Sequence, residues 1–267
     1  MKLVKPKVEF IPQEPTLDGA KKQIEIGGRI CYKSEHLITN KSSEKFFKRM
    51  LSYGHGSVLE HGTIYLTFNR VLNLLRVKFY TSNPFSKVVF KGLKAYVTTN
   101  MRVICENKRE DDLKYINFAN HHEKRYTFKV TTSRIISQQF TRHRVMSPSQ
   151  ESQRYCNYSK DRFGDDILFI DPVWLTGKEN SVGKTLIRSY KESEKNYFDL
   201  TSKGVKAEDA RDVLANGVKT EFVYTGFESD FLGNFHKLRS HRTAQELMRI
   251  QANEICSIIT SNQIEKY

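Results

Sequence analysis

Thr63 to Phe68 alternate strictly, with Ile64, Leu66 and Phe68 on one side and Thr63, Tyr65 and Thr67 on the other. A period of two puts each set on its own face of a β-strand, and the apolar face has to be covered. Residues 95–104 and 126–136 are rich in Tyr, Val, Thr, Phe and Ile and predict two further strands. Helical spacing flanks this region. Residues 17–26 predict a helix stopped by Gly27 and Gly28. A clearer helix covers 43–53, capped by Ser42, with Phe46, Phe47, Met50 and Leu51 on one face and Gly54 at its end. The charged stretch 106–124 reads as surface helix or loop, with His121 and His122 solvated. Beyond residue 175 the pattern is helical. Leu186, Ile187, Tyr190, Tyr197 and Leu200 mark one helix, ending near Gly204. Glu208 and Asp209 open the next, where acidic side chains suit the positive end of the helix dipole, and Gly217 closes it. A last helix covers about 241–261. The order helix, strands, helices predicts an α+β fold, a mostly antiparallel sheet flanked by helices.

The 267 residues include 44 Lys and Arg against 30 Asp and Glu, a formal charge of +14. A basic surface attracts nucleic acid, anionic membrane surfaces or phosphorylated small molecules, or serves solubility alone. No apolar run reaches ~18 residues, so no membrane span is expected. Met1 to Pro6 lacks the apolar stretch of a secretory signal. Cys31, Cys105, Cys156 and Cys256 are scattered and form no C-x-x-C pair, which argues against a zinc site or a disulfide scaffold. Together these predict a reducing, cytoplasmic setting. G-x-G-x-x-G, the P-loop and G-x-S-x-G are all missing from the sequence. His55 and His61 are six apart, a spacing that matches no common zinc site, so no metal is predicted.

The most informative stretch is 139–155, which follows a predicted strand and holds Arg142, Arg144 and Arg154, His143, and the hydroxyls of Ser147, Ser149 and Ser152. Charge-assisted bonds from arginine to phosphate are strong and directional. The stretch therefore suits a phosphorylated small molecule, a nucleic-acid backbone, or a solvated basic loop.

Arg142-His143-Arg144, followed after seven residues by Ser152 and then by Arg154 and Tyr155, resembles the signature of the flavin-dependent thymidylate synthases. Gly54 to His61 resembles that family's segment before its first strand. Ala210-Arg211 and Leu238-Arg239 resemble its later arginine motifs. Ordered matches run from about residue 29 to 245. The chain thus reads as one domain of that fold, with an insertion expected at about 69–125.

The resemblance implies reductive methylation of dUMP to dTMP. The one-carbon donor would be methylenetetrahydrofolate, and NADPH-reduced FAD would supply the hydride. It also implies a homotetramer with active sites at subunit interfaces, without membrane or nucleic-acid partners. Matched by position, the flavin-binding residues would be His55, Ser57, Arg142, His143, Arg144, Gln150 and Asn234. The nucleotide would be bound by Gln139, Arg142, Gln150, Ser152, Arg154, Arg211 and Arg239. Arg239 would be the catalytic residue, assisting ionisation at N3 of uracil, because a guanidinium stabilises developing negative charge without losing a proton. For Ser152 a hydrogen bond to the nucleotide is expected rather than nucleophilic attack, which needs a base within reach. Many members carry Asn-Glu where this chain has Ser149-Gln150, and compact members carry an Asn-Ala-Arg-like stretch where it reads Gly226 to Asp230. The alternative reading of the chain is a basic nucleic-acid-binding protein.

Overall fold

The computed structural model describes residues 1–159, 166–175 and 181–261. In chain order the first elements are β1 (Lys2–Val4), β2 (Lys7–Phe10), α1 (Leu17–Tyr32), α2 (Ser42–Ser52), α3 (Gly56–Leu59) and β3 (Thr63–Asn69). Next come α4 (Leu74–Ser82), β4 (Lys87–Lys91), β5 (Lys94–Asn100), α5 (Met101–Glu106), β6 (Arg125–Ser133), α6 (Arg134–Thr141) and β7 (Ser147–Gln150). The remainder are β8 (Leu168–Ile170), α7 (Ser181–Ser202), α8 (Ala207–Ala210), β9 (Lys219–Phe227), α9 (Glu228–Asp230), a π turn over Phe231–Phe235, α10 (His236–Arg239) and α11 (Glu246–Thr260).

Antiparallel pairing dominates, as predicted, and 63–68 is a strand, but the strands form two main sheets where one was expected. The larger runs β2-β6-β9-β7 and the smaller β3-β5-β4. A short parallel pair, β1 with β8, was not foreseen. Phe128, Val130, Phe222 and Tyr224 of the larger sheet pack against Phe140, Phe231, Phe235, Met248 and Ile255 of the helices that follow. A second core joins Ala20 and Ile24 of α1 and Phe46 of α2 to Leu66 and Phe68 of β3 and Val97 of β5. A third gathers Phe169, Tyr190, Tyr197 and Val218. Among the described residues no helix is long and apolar enough to cross a membrane.

Several predicted boundaries move, each for a local reason. Gly27 and Gly28 lie inside α1 and do not stop it. A Cβ at Gly27 would fall 2.5 Å from Cδ2 of His61, and one at Gly28 would fall 2.5 Å from Cζ of Phe46. These glycines allow close packing, and the helix ends instead at Lys33, which is left-handed (φ 51°). Ser42 does not cap α2. Its hydroxyl accepts from the Thr39 N–H and donates to Glu25 at 2.8 Å. The strand predicted over 95–104 stops at Asn100, whose side chain accepts from the Val103 N–H and starts α5. The strand predicted over 126–136 stops at Ser133, where α6 begins. The helix at 208 is a single turn followed by a 3₁₀ turn over Arg211–Val213, so Gly217 does not close it. The last helix starts at Glu246, not near 241.

The stretch 106–124 is not all surface. Asp112 is fully buried, where it accepts from the Tyr80 hydroxyl at 2.8 Å and pairs with Arg76. His122 is also buried, its ring bonded to the Leu66 carbonyl oxygen and to Ala119, so only His121 of that pair is exposed.

Candidate functional site

β6 is almost wholly buried along its nine residues and delivers the chain directly into α6. Ile136 and Phe140 turn α6 onto the sheet, and the Tyr224 hydroxyl of β9 donates to the Phe140 carbonyl at 3.0 Å. That fixes the end of α6, from which Arg142, His143 and Arg144 emerge. His143 is buried against the Phe235 ring, 5.1 Å between centroids. Its Nε2 accepts a 2.7 Å hydrogen bond from Nε of Arg239 at the end of α10. Burial first, and the Arg239 charge second, push the His143 imidazole down to about 4. It is therefore a neutral acceptor near pH 7, and Arg239 keeps its two terminal amino groups for other partners.

Arg142 is close enough to Arg239 to help lower that guanidinium's pKa, after the larger effect of burial. Arg142 and Arg144 are exposed. Among the described residues none of Arg142, Arg144 and Arg239 has a carboxylate within ion-pair distance. Arg142 and Arg239 thus share one rim without internal neutralisation, and Arg144 is exposed two residues beyond Arg142. Asn234 is exposed in the π turn that leads to α10, beside Gly233, which departs from helical geometry.

β7, which follows the Arg142–Arg144 segment in the chain, runs antiparallel to β9. Both amide hydrogens of Gln150 are used inside the protein, on Oγ of Ser137 at 2.7 Å and Oγ1 of Thr220 at 3.1 Å. Gln150 therefore ties α6 to β9 and offers a ligand only its carbonyl oxygen. Glu151 turns the other way, as alternation along a strand requires. It is buried with Lys219 Nζ at 3.2 Å, the Glu221 N–H at 3.2 Å and the Tyr158 hydroxyl at 3.4 Å. Burial in this cluster brings the Lys219 ammonium down to about 8.

Ser152 is held by its backbone, with its N–H on the Cys31 carbonyl at 3.0 Å. His143 is committed to Arg239, so it is not available as a base for Ser152. Arg154 is exposed, 3.5 Å from Glu208 and 5.7 Å over the Tyr155 ring, which itself meets the Tyr32 ring at 5.4 Å. Arg211 follows α8 three residues after Glu208, and its charge helps lower the pKa of Arg134, which is mainly depressed by burial. The Gln139 amide donates to Gln245 at 3.0 Å. His55 and Ser57 are exposed at the start of α3, which packs against β7.

The structure thus bonds His143 to Arg239 with Arg142 close by, and links Arg154 to α8, which Arg211 follows. Among the described residues no hydrogen bond joins His55 or Ser57 to the guanidinium rim. Sequence reasoning missed Arg134, whose NH1 reaches the Glu151 carbonyl oxygen at 3.4 Å, and the Lys219–Glu151 pair. For Arg134 the signal was its place at the end of β6. Neither His55 nor His61 belongs to a metal-binding cluster among the described residues. His61 is fully buried, bonded to Oγ1 of Thr225 at 2.8 Å, and burial drives its imidazole down to about 3.

The sequence profile of the thymidylate synthase complementing protein family matches residues 93–262. A flavin-dependent thymidylate synthase of Sulfurisphaera tokodaii is 36% identical over 121 residues, 45% of this chain and 44% of that protein. The chain's match thus spans less than half the length of that relative. A second, from Clostridium tetani, is 29% identical over 204 residues, 67% of this chain and 78% of that protein. The solved UMP/dUMP methylase PolB of Streptomyces cacaoi, bound with 5-Br dUMP, aligns over 96% of this chain and 90% of its own at 16% identity and a TM-score of 0.46.

Proposed function

The chain belongs to the thymidylate synthase complementing protein family, and from that premise we propose that it is a flavin-dependent thymidylate synthase that methylates dUMP to dTMP. The observation that carries the reading is the junction of Arg142, His143 and Arg239, a rim of guanidinium groups with no carboxylate partner among the described residues. Such a donor set fits two anionic ligands, the nucleotide and FAD. Bound FAD, with NADPH and methylenetetrahydrofolate as co-substrates, would supply the hydride and the one-carbon unit.

The chain's own residues would do the rest. Neutral His143 orients Arg239 through Nε, so that the terminal amino groups face N3 and O4 of the uracil. Charge developing there makes C5 a better nucleophile, and a fixed guanidinium stabilises it without reorganisation. Arg154, Arg211 and Ser152 hold the nucleotide, with Gln139 alongside. Arg142, Arg144, His55, Ser57 and Asn234 hold the flavin. Gln150 acts as a positioning residue under α6. The exposure of the rim favours a homotetramer in which neighbouring subunits cover it. The whole chain is then one catalytic domain carrying an insertion at about 69–125.

The test is tritium release from C5-labelled dUMP. Release is expected with FAD, NADPH and methylenetetrahydrofolate all present and should fail when any one is omitted. Arg239→Ala should lose turnover far more than flavin content. No release in the complete mixture from flavin-loaded protein, or release that persists without flavin, would refute the assignment.

A further inference from the structure

β6 has a second functional end. Arg125 opens the strand and Ser133 closes it, so eight steps of about 3.3 Å put Arg125 ~26 Å from the start of α6. At the Arg125 end lies a cavity of about 490 Å³. Phe10, Tyr65, Phe118 and Tyr126 give it aromatic walls, and Lys124 and Arg125 give it two cations. None of its lining residues is acidic. The volume is in the range that holds a small organic ligand.

Arg125 is the unusual member. It is only 8% exposed, yet among the described residues it has no carboxylate within ion-pair distance. Its NH1 donates to the Glu60 carbonyl oxygen at 3.0 Å and to Oγ1 of Thr63 at 3.2 Å, and the guanidinium lies 5.2 Å over the Phe227 ring. Its Nε–H is buried without a hydrogen-bond partner. A buried charge is ordinarily paired, and an unmet donor on it is costly. An incoming carboxylate would meet both needs, since its planar pair of oxygens matches the edge of a guanidinium. The aromatic walls would pack the rest of the molecule. Phe118 and Lys124 come from the segment preceding β6, and Phe10 from the N-terminal strand β2, so the cavity is built where that segment meets the larger sheet.

We propose that this cavity is a second ligand site, separate from the Arg142–His143–Arg239 rim, and that it takes a planar aromatic carboxylate with its carboxyl group on Arg125. The probe is 2-naphthoate, titrated calorimetrically into the full chain, with 2-naphthalenemethanol as its uncharged counterpart. Saturable binding of one naphthoate per chain is expected, with the alcohol at least tenfold weaker. Arg125→Met should weaken naphthoate at least tenfold. Because Arg125 also holds the Glu60 and Thr63 segment, Phe118→Ala, on a partly exposed wall, serves as a second variant that should weaken both probes several-fold. Naphthoate binding should persist with FAD or methylenetetrahydrofolate at saturation. Equal affinity for acid and alcohol, no saturable naphthoate binding, no effect of Phe118→Ala, or displacement by FAD or the folate would each overturn the proposal.

Discussion

Replacing Arg239 by Met tests the electrostatics of the rim directly. In the native protein His143 has an imidazole pKa of about 4 against an ordinary 6.5, with burial the larger cause and the Arg239 charge the second. The whole displacement corresponds to about 3 kcal/mol between the two protonation states, at roughly 1.4 kcal/mol per pH unit. Methionine keeps the bulk of the arginine stem and removes the cation 2.7 Å from Nε2. The imidazole should then rise, but short of a full return to 6.5, because burial, the larger cause, remains. Proton NMR of the histidine ring hydrogens against pH reads this, with His143→Gln identifying the resonance. The sign for stability follows. Unfolded His143 takes its proton near 6.5 and the folded residue only near 4, so its contribution is complete above 6.5 and is lost as pH falls toward 4. Urea unfolding between those values should show a shallower loss in Arg239→Met. An unmoved His143 resonance would refute the role of Arg239, and a complete return to 6.5 would refute that of burial.

Gly27→Ala should destabilise by roughly 1–3 kcal/mol, despite the better helix propensity of alanine, because its Cβ meets the buried His61 ring; a rise in urea midpoint would contradict the packing argument. Asp112→Ala should cost about 1–3 kcal/mol by leaving the buried Tyr80 hydroxyl without its acceptor, which a thermal melt would register as a drop in Tm.

How much of this was legible depends on the distance over which each cause acts. The period of two at β3 announces a strand because it is local. The boundaries at Asn100 and Ser133 were hidden, since apolar and β-branched residues continue past both and the change of structure is made by a cap or a turn. Gly27 and Gly28 were misread because glycine signals a stop and close packing with the same letter. Asp112 looked like surface because its partners Arg76 and Tyr80 lie more than thirty residues upstream. At the site, the spacing from Arg142 to Arg154 was readable, whereas the bond between His143 and Arg239 joins residues 96 apart and leaves no local trace. The engagement of Gln150 by Ser137 and Thr220 was equally invisible.

The ladder partners of the larger sheet are remote in the chain, from 72 residues apart (Gln150 with Phe222) to 124 (Lys7 with Thr131). The smaller sheet is built from neighbours, with Lys91 opposite Lys94 across a tight hairpin. Closing long loops slows folding, while nearby pairings form early. During synthesis β3, β4 and β5 are able to assemble as soon as they leave the ribosome, but β6 waits with an open edge until β9 has been made. The nascent chain therefore passes through a stage in which an apolar strand lacks its partner, and a chaperone that shields such edges should raise the yield of folded protein.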